Sequence, residues 1–386
     1  MVEPHAQPAI VHVDVPFGGL IKSPSSLIRG WISLEGDRPI ERLWLANPAG
    51  RVVPLAFVDR PDVRQALPDR TSTGFSAWID ARTMANGPWS VGFRRAGEDA
   101  AAPVPLRVDT TITSEFSDAK ARKLARIRPL LRCPKCGGKL TDDEQAIECA
   151  NGHRFGVGTN AYDFLDDATR ERVGAVPTSN VSAHGYDEVL RKLISETSGP
   201  ILDAGAGLRP DYREEVVNLE IVAYPTTDVV AAVELLPFAD DSFDLVISVA
   251  VLEHVRDPFA AARELERVVR PGGRIFAAVP FLQPYHGYPD HYYNMTSGGL
   301  RNLFRNCEVE SLFVPRSGSP IFVLTWLLQS WRNALPPETL QTFDTLRVSD
   351  LAVDPLTLID EPFVTQLPEH ANVELAALNV LIGKKR

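Results

Sequence analysis

The segment ILDAGAGLRP, residues 201–210, constrains the fold of this chain most, because it joins a short apolar run to a carboxylate and a glycine-containing turn. Gly205 and Gly207 allow a tight turn and let a ligand approach the backbone, since glycine has no Cβ atom. A strand that ends in such a turn is typical of nucleotide-binding α/β folds. The spacing is Gly-x-Gly, with Arg209 in the place of a third glycine. By itself, the turn therefore also fits an ordinary tight turn.

The rest of the C-terminal half supports an α/β fold. From about residue 185 onwards, helical patterns alternate with apolar strands, which predicts a mostly parallel sheet with crossover helices. Helix-compatible sequence follows Asp211, and VELAALNVLIGK, residues 373–384, predicts a final strand. The run VVNLEIVAY places Glu220 near the end of a second strand. A carboxylate at that position can accept hydrogen bonds from two ribose hydroxyls.

Further motifs make residues 200–282 resemble the class I S-adenosylmethionine-dependent methyltransferases. They are LPFADDSFD, LEHVRDP and the RPGG turn at 270–273. The resemblance implies a Rossmann-like domain with S-adenosyl-L-methionine as cofactor. It places the methionine part of the cofactor at Asp203, Gly205 and Gly207, and the ribose at Glu220.

The family usually has an acid that binds adenine just before the LPF segment, and this chain has Ala232 there. Glu234 can substitute for that acid, or adenine can be held by backbone and apolar contacts around Val233 and Leu236. We also include Ala250, after the fourth strand, in the predicted cofactor site. His254 occupies a family position close to the cofactor, where a structural role is more typical than a catalytic one.

The stretch PFLQPYHGYPDHYYNMTSGGLRNLF, residues 280–304, is rich in histidine and tyrosine and follows the fifth strand. Open α/β folds bind ligands beyond the carboxyl ends of their strands. His286 and His291 are therefore predicted as catalytic bases for a hydroxyl acceptor, and the tyrosines as stacking surfaces for a sugar or a base. Alternatively, this is an ordered loop whose aromatic side chains pack over the sheet.

Three of the four cysteines lie close together in the sequence. Cys133, Cys136, Cys149 and His153 give the spacing C-x2-C-x12-C-x3-H, which suits tetrahedral zinc. Four protein ligands would make the site structural; the alternative is a buried cysteine cluster without metal. The segment resembles the zinc-binding start of the large-subunit rRNA guanine methyltransferases. Cys307 is interpreted as an ordinary buried thiol.

The N-terminal region reads as a run of short strands separated by Gly, Pro, Asn and Asp, which favours an immunoglobulin-like β-sandwich. The chain is thus predicted to be multidomain. The predicted domains are a β-sandwich (1–112), a basic linker helix (113–130), a zinc ribbon (131–165) and a class I methyltransferase domain (180–386).

Charge and hydropathy limit the partners. The net charge of −10 argues against a surface devoted to nucleic acid. The stretch 120–139 nevertheless carries eight Lys or Arg and no acid, so RNA contact through it and a solvated helix face stay equally open. SPIFVLTWLLQSW, residues 319–331, predicts a buried helix, with a lipid-facing surface as the alternative. No transmembrane segment or secretory signal is evident, which predicts a cytoplasmic protein. The sequence leaves the oligomeric state open.

These features favour a methyltransferase that O-methylates a saccharide or a cell-surface glycan or glycolipid precursor. The segment at 59–80 and the loop after the fifth strand resemble modules and enzymes of bacterial glycan modification. An RNA methyltransferase is the second candidate, because of the zinc ribbon and the basic stretch. A non-catalytic adaptor with a relict methyltransferase domain is the third, and Ala232 is its best support.

Overall fold

The computed structural model describes residues 9–47, 50–81, 84, 87–143, 146–158, 160–176, 185–287 and 289–384. The chain divides into two units: Met1–Ile247 with Arg267–Ile275, and Ser248–Glu266 with Phe276–Arg386. The predicted start of the methyltransferase domain at residue 180 lies outside the described residues.

Short strands fill the N-terminal part of the first unit. They are β1 (Ile10–Val15), β2 (Leu20–Ile21), β3 (Ser25–Glu35), β4 (Arg42–Ala46), β5 (Val52–Pro54), β6 (Ala56–Val58), β7 (Arg70–Asp80), β8 (Trp89–Arg95), β9 (Glu98–Val104) and β10 (Arg107–Val108), with one short helix, α1 (Pro61–Ala66), before β7. They form two four-stranded antiparallel sheets, ordered β1-β3-β7-β6 and β5-β4-β8-β9, and a small β10-β2 pair.

Alternation along these strands explains why the two sheets share one core. Successive side chains of a strand point to opposite faces, so every second residue can be buried. Ile32 and Leu34 of β3, Leu43 and Leu45 of β4 and Phe75 of β7 are at most 1% exposed and belong to the same hydrophobic cluster. The predicted run of strands is present; its immunoglobulin-like classification stays a prediction.

The helix α2 (Thr110–Ile127) covers the stretch predicted as a basic linker. It begins at Asp109, whose side chain accepts a hydrogen bond from the Thr111 N–H. Lys120 and Lys123 are 2% and 0% exposed, and their ammonium groups lie 3.4 and 2.8 Å from the Asp228 carboxylate. Because a buried charge must be paired to be tolerated, these contacts fix α2 against the strands that follow.

A nine-stranded sheet forms the rest of the first unit's framework, in the order β11-β12-β13-β14-β17-β16-β15-β18-β19. Its strands are β11 (Leu140–Asp143), β12 (Ala146–Cys149), β13 (Arg154–Val157), β14 (Tyr162–Asp163), β15 (Ile201–Ala204), β16 (Val216–Glu220), β17 (Val229–Val230), β18 (Phe243–Val249) and β19 (Val269–Ala278). The helices between them are α3 (Asp167–Val173), α4 (Glu188–Glu196) and α5 (Pro258–Val268), and most of α5 belongs to the second unit.

The sheet changes character along its width. β11 to β14 pair antiparallel, whereas β14, β17, β16, β15 and β18 pair parallel. The contact between β14 and β17 therefore joins the cysteine-bearing hairpins to the parallel strands in one continuous ladder. The predicted, mostly parallel sheet is present in the part that carries the glycine turn, and α5 is a crossover helix of the expected kind.

The helix expected after Asp211 is absent, so that prediction is wrong. Residues 205–215, which connect β15 to β16, and residues 221–228, which connect β16 to β17, contain no helix. The first connection also holds the glycine turn and leaves little room for a helix of ordinary length, about 11 residues. Instead of such a helix, α2 contacts the start of β16, where the Lys123 ammonium donates to the Val216 carbonyl at 2.6 Å.

The second unit is helical, and α7 corrects a prediction. Its helices are α6 (Ser297–Leu303), α7 (Pro320–Ala334), α8 (Pro337–Phe343), α9 (Val348–Leu351), α10 (Pro362–Thr365) and α11 (Glu369–Glu374). No residue of α7 is buried, and Ile321 and Phe322 are 58% and 54% exposed. Only the later turns, at Leu328 and Trp331, pack against the unit's core. The apolar sequence has too few neighbours on its other side to be buried.

The final strand is also absent from the structure. Residues 375–384 form no strand, and Leu381 and Ile382 are 90% and 96% exposed. Apolar character makes a strand only where a neighbouring strand pairs with its backbone groups. Within the described ranges, no helix combines the length and apolar character that crossing a membrane requires.

Candidate functional site

Asp203, in β15, is the most constrained carboxylate of the predicted cofactor site. It is fully buried, and its Oδ2 accepts hydrogen bonds from the Tyr186 hydroxyl at 2.7 Å and from Arg209 Nε at 2.8 Å. The Arg209 guanidinium also lies over the Tyr186 ring. Burial, and then the charge of Asp203, raises the pKa of Tyr186, so the hydroxyl stays a neutral donor. Among the described residues, Asp203 Oδ1 has no hydrogen-bond partner and is a free acceptor.

The glycine turn links the strand of Asp203 to Glu220, the residue predicted to bind the ribose. Gly205 and Gly207 have φ values of 83° and 61°, which favour glycine. The Gly205 N–H donates to the Leu219 carbonyl at 2.9 Å, and the Gly207 N–H donates to Glu220 Oε2 at 2.9 Å. We call Asp203, Gly205, Gly207 and Glu220 the glycine cradle. Its four members were predicted from sequence, and the fold gathers them in the first unit.

Glu220 is the last residue of β16 and is half-buried. Burial raises its pKa, while hydrogen bonds from the Ile221 and Gly207 N–H groups lower it. Each of these N–H groups binds a different carboxylate oxygen. Because a carboxylate oxygen offers two lone pairs, both oxygens can still accept a hydrogen bond from a neighbouring hydroxyl.

The residues predicted around adenine are placed differently. Val233 and Leu236 are 5% and 1% exposed, so their side chains belong to the buried core. Glu234 Oε1 lies 3.4 Å from an Arg172 nitrogen, which gives this carboxylate a partner other than a ligand. Ala250 belongs to the second unit, where it has a φ of 54° and donates its N–H to the Ala278 carbonyl.

The histidine-rich loop of the second unit is held on the LEH segment by backbone hydrogen bonds. The N–H groups of Tyr292 and Tyr293 donate to the Glu253 carbonyl at 2.7 and 3.2 Å. His254 Nδ1 lies 2.5 Å from the Asp290 carbonyl oxygen. The loop is therefore an ordered element whose geometry depends on residues 253 and 254.

The two predicted bases lie side by side, with ring centroids 4.4 Å apart. His291 Nδ1 accepts a hydrogen bond from the His286 N–H at 3.3 Å, and His291 Nε2 lies 3.1 Å from Asn294 Oδ1. Burial lowers the pKa of His291. His286 Nδ1 lies 3.0 Å from the Pro284 carbonyl, which leaves Nε2 of His286 as the less engaged base.

Glu253 was not predicted as a site residue. Its side chain is 0% exposed, and neither carboxylate oxygen has a hydrogen-bond partner among the described residues. Burial raises its pKa to about 8 and also lowers the pKa of the neighbouring His254. One carboxylate oxygen of Glu253 and one ring nitrogen each of His254 and His286 lie within 4.8 Å of one another. We call these three residues the acceptor cluster.

A second group of metal-ligand residues is the cysteine cluster, Cys133, Cys136, Cys149 and His153. His153 Nδ1 lies 3.3 and 3.4 Å from the sulfurs of Cys133 and Cys149, and the sulfurs of Cys136 and Cys149 are 3.7 Å apart. Gly137 and Gly152, with φ values of 69° and 77°, donate their N–H groups back to the carbonyls of Cys133 and Cys149. These two turns bring the four side chains together. Cys307 is half-buried and lies outside the cluster.

Most of the basic stretch is occupied by contacts within the chain. Arg122 pairs with Glu214, Arg128 with Asp142 and Lys135 with Asp166. Arg126 and Arg132 donate to backbone carbonyls, and Lys120 and Lys123 are buried against Asp228. Most of the basic side chains of residues 120–139 therefore have partners within the first unit, and those of Lys120 and Lys123 are buried there.

Tyr186, Arg209 and Glu253 are the polar residues that sequence reasoning missed. Arg209 stands where a third glycine was considered, which was a signal that the turn carries an additional charge. Glu253 lies in the LEH motif, but nothing in the motif reveals that both of its oxygens are buried. Tyr186 precedes the first strand of the parallel part and gives no signal in sequence.

Comparison with known proteins gives a family match that includes Gly207 and Glu220 of the glycine cradle. The family model described as a methyltransferase domain matches residues 206–277. An uncharacterized methyltransferase of Mycobacterium avium is 36% identical over 118 residues, which is 28% of this chain and 47% of that protein. An uncharacterized methyltransferase of Mycobacterium tuberculosis is 29% identical over 176 residues, 41% of this chain and 66% of that protein.

The chain spans about half the length of the first curated relatives it matches. Phosphoethanolamine N-methyltransferase 2 of Haemonchus contortus, solved with S-adenosylhomocysteine, is 16% identical and covers half of each chain. The TM-score is 0.29. The family match and the curated relatives identify a methyltransferase domain in this chain.

Proposed function

We propose that this protein is an S-adenosylmethionine-dependent methyltransferase that O-methylates a saccharide or a related precursor of a cell-surface glycan or glycolipid. The glycine cradle is the observation that carries the proposal. It combines a glycine turn, a half-buried carboxylate at the end of the next strand and a buried acceptor atom, Asp203 Oδ1, that lacks a donor.

The cradle suits the polar parts of this cofactor. Asp203 Oδ1 is placed to accept from an ammonium group, and Glu220 can accept from the two ribose hydroxyls. The cofactor supplies a methyl group on a sulfonium, so the protein contributes mainly by orienting the acceptor. We propose that adenine is held by apolar packing, because the Glu234 carboxylate is paired with Arg172.

The histidine-rich loop supports a hydroxyl acceptor. His286 is the better candidate for the base, since both nitrogens of His291 have partners. Tyr285 and Tyr293, 46% and 41% exposed, offer ring faces of the kind that stack on sugars. These features favour a saccharide over a purely apolar acceptor.

The cysteine cluster is proposed as a structural zinc site. With Zn–S and Zn–N bonds of about 2.3 and 2.0 Å, a tetrahedral ion separates its ligand atoms by about 3.5 to 3.8 Å. The separations of 3.3, 3.4 and 3.7 Å are close to these values.

The ribbon and the basic stretch suggested RNA methylation as the alternative. This alternative loses much of its support because most of those basic side chains have partners inside the chain. An immunoglobulin-like N-terminal domain and a cytoplasmic location complete the proposal.

Titration calorimetry with S-adenosylmethionine tests the cofactor site. We expect Glu220→Ala to weaken binding about 10- to 100-fold, because hydrogen bonds to a charged group contribute about 1.5–3 kcal/mol. Glu215→Ala is the matched control, since that exposed carboxylate pairs only with Arg213 among the described residues and should leave the affinity unchanged. Wild-type protein that binds no cofactor would contradict the proposal and favour the adaptor alternative.

Transfer of a labelled methyl group tests the acceptor class. The protein is incubated with labelled cofactor and, separately, with bacterial polysaccharide, glycolipid and structured RNA. Label in a saccharide fraction supports the proposal, and label confined to RNA would replace it with the second candidate.

A further inference from the structure

The acceptor cluster, Glu253, His254 and His286, brings three hydrogen-bond acceptors together, and none of the three residues donates a hydrogen bond to another. Its ligand atoms lie within 4.8 Å of one another, and Glu253 Oε1 is 3.9 Å from His254 Nε2. Glu253 is 0% exposed, and neither of its oxygens accepts a hydrogen bond from any described residue. A buried carboxylate without a partner is costly. The cluster is therefore suited to bind a positively charged ligand.

Both imidazole rings are oriented by backbone carbonyls. Nδ1 of His254 lies 2.5 Å from the Asp290 oxygen, and Nδ1 of His286 lies 3.0 Å from the Pro284 oxygen. A carbonyl oxygen only accepts, so each Nδ1 carries the proton and each Nε2 presents a lone pair. Histidine ligands of metals are commonly fixed in this way by a second hydrogen bond.

We propose that Glu253, His254 and His286 bind one divalent transition-metal ion through a carboxylate oxygen and two Nε2 atoms. Two imidazoles and a carboxylate suit ions such as Zn²⁺, Fe²⁺ and Co²⁺, whereas Mg²⁺ and Ca²⁺ prefer oxygen ligands. Three protein ligands leave a coordination position open, unlike the four ligands of the cysteine cluster.

The open position gives the ion a role that rests on the proposed methyltransferase function. An ion held by these three residues would act as a Lewis acid and would make a hydroxyl bound at the open position more acidic. His286 would then be a metal ligand and would no longer act as the base, because its Nε2 lone pair would be bound to the ion.

Cobalt binding by the full-length protein tests the site. Protein stripped with a chelator is titrated with Co²⁺ alone, followed by absorption spectroscopy and metal analysis. We expect His286→Gln and Glu253→Gln each to lose one equivalent that wild type binds, or to bind it at least about 100-fold more weakly. The thiolate-to-cobalt bands of the cysteine cluster should not change in either variant. His370→Gln removes an exposed histidine of the same unit and should keep the wild-type stoichiometry.

Equal cobalt stoichiometry in wild type and His286→Gln would overturn the proposal, as would bound cobalt that shows thiolate bands only. If Glu253→Gln fails to fold, the half-buried loop residue His286 decides the result. Calorimetry with S-adenosylmethionine on the same samples separates the two hypotheses. Cobalt bound at the acceptor cluster without cofactor binding would remove the proposed function and leave the metal site in place.

Discussion

The cysteine cluster and the acceptor cluster bring together similar numbers of ligand side chains in opposite ways. The cysteine cluster uses two tight turns within residues 133–153, and its members already contact one another. The acceptor cluster joins residues 253 and 254 to residue 286 through a loop held by backbone hydrogen bonds. Its carboxylate contacts no donor among the described residues.

We infer from this difference that the cysteine cluster stabilises the fold of its own segment, whereas the acceptor cluster lies on a segment that is folded without it. Short ribbons have little apolar core, so a metal supplies folding free energy directly. The acceptor cluster lies on an element that is already ordered by its own hydrogen bonds, and the Glu253 carboxyl oxygens have no hydrogen-bond partner among the described residues. A buried polar group without a partner in the fold is typical of a functional site.

The largest expected effect is that of Cys149→Ser, which removes a ligand of the cysteine cluster. We expect loss of about one zinc per chain and unfolding of the ribbon, because structural zinc contributes roughly 10 kcal/mol or more in small zinc domains. Elemental analysis and calorimetric unfolding check the result. Cys307→Ser is the control, since this half-buried thiol lies outside the cluster. A variant that keeps its zinc and its melting temperature would break the assignment.

An effect of opposite sign is expected for Glu253→Gln in metal-free protein. The substitution removes an unpaired buried carboxylate and supplies an amide donor to the Nε2 acceptors, so the free energy of unfolding should rise by about 1–3 kcal/mol. Urea denaturation of chelator-treated samples measures it. Asp203→Asn is the contrasting variant: its carboxylate is paired with Arg209, and we expect a loss of about 3–5 kcal/mol. Destabilisation by both variants would remove the distinction between the two carboxylates.

The smallest expected effect concerns the support of the acceptor cluster. The Asp290 carboxylate accepts hydrogen bonds from the Tyr285 hydroxyl and the His291 N–H, both at 2.9 Å. Asp290→Ala should loosen the loop that positions His286 and weaken cobalt binding there about 10-fold, as the loss of outer-shell partners commonly does. Binding at the cysteine cluster should stay the same. A change at both clusters would point to a general loss of structure.

Much of the first unit could be predicted from sequence. The strand run, the sheet around the glycine turn and the glycine cradle follow from patterns that extend over a few residues, where period and turn chemistry decide the structure. The helix after Asp211, the final strand and the buried α7 were wrong. Each depended on what neighbouring segments provide: enough chain for a crossover, a strand to pair with, or a partner for the second apolar face.

The sequence by itself determined the two local constellations, Cys133 to His153 and Asp203 to Glu220. In both, turns of fixed chemistry or adjacent parallel strands bring the side chains together. Only the tertiary structure decided that Lys120 and Lys123 are buried against Asp228, and that Glu253 and His286 meet. These contacts join residues separated by 105 or more positions in the first case, and residues separated by the helix α5 and the strand β19 in the second. Their geometry depends on how distant segments pack, and no local pattern records that packing.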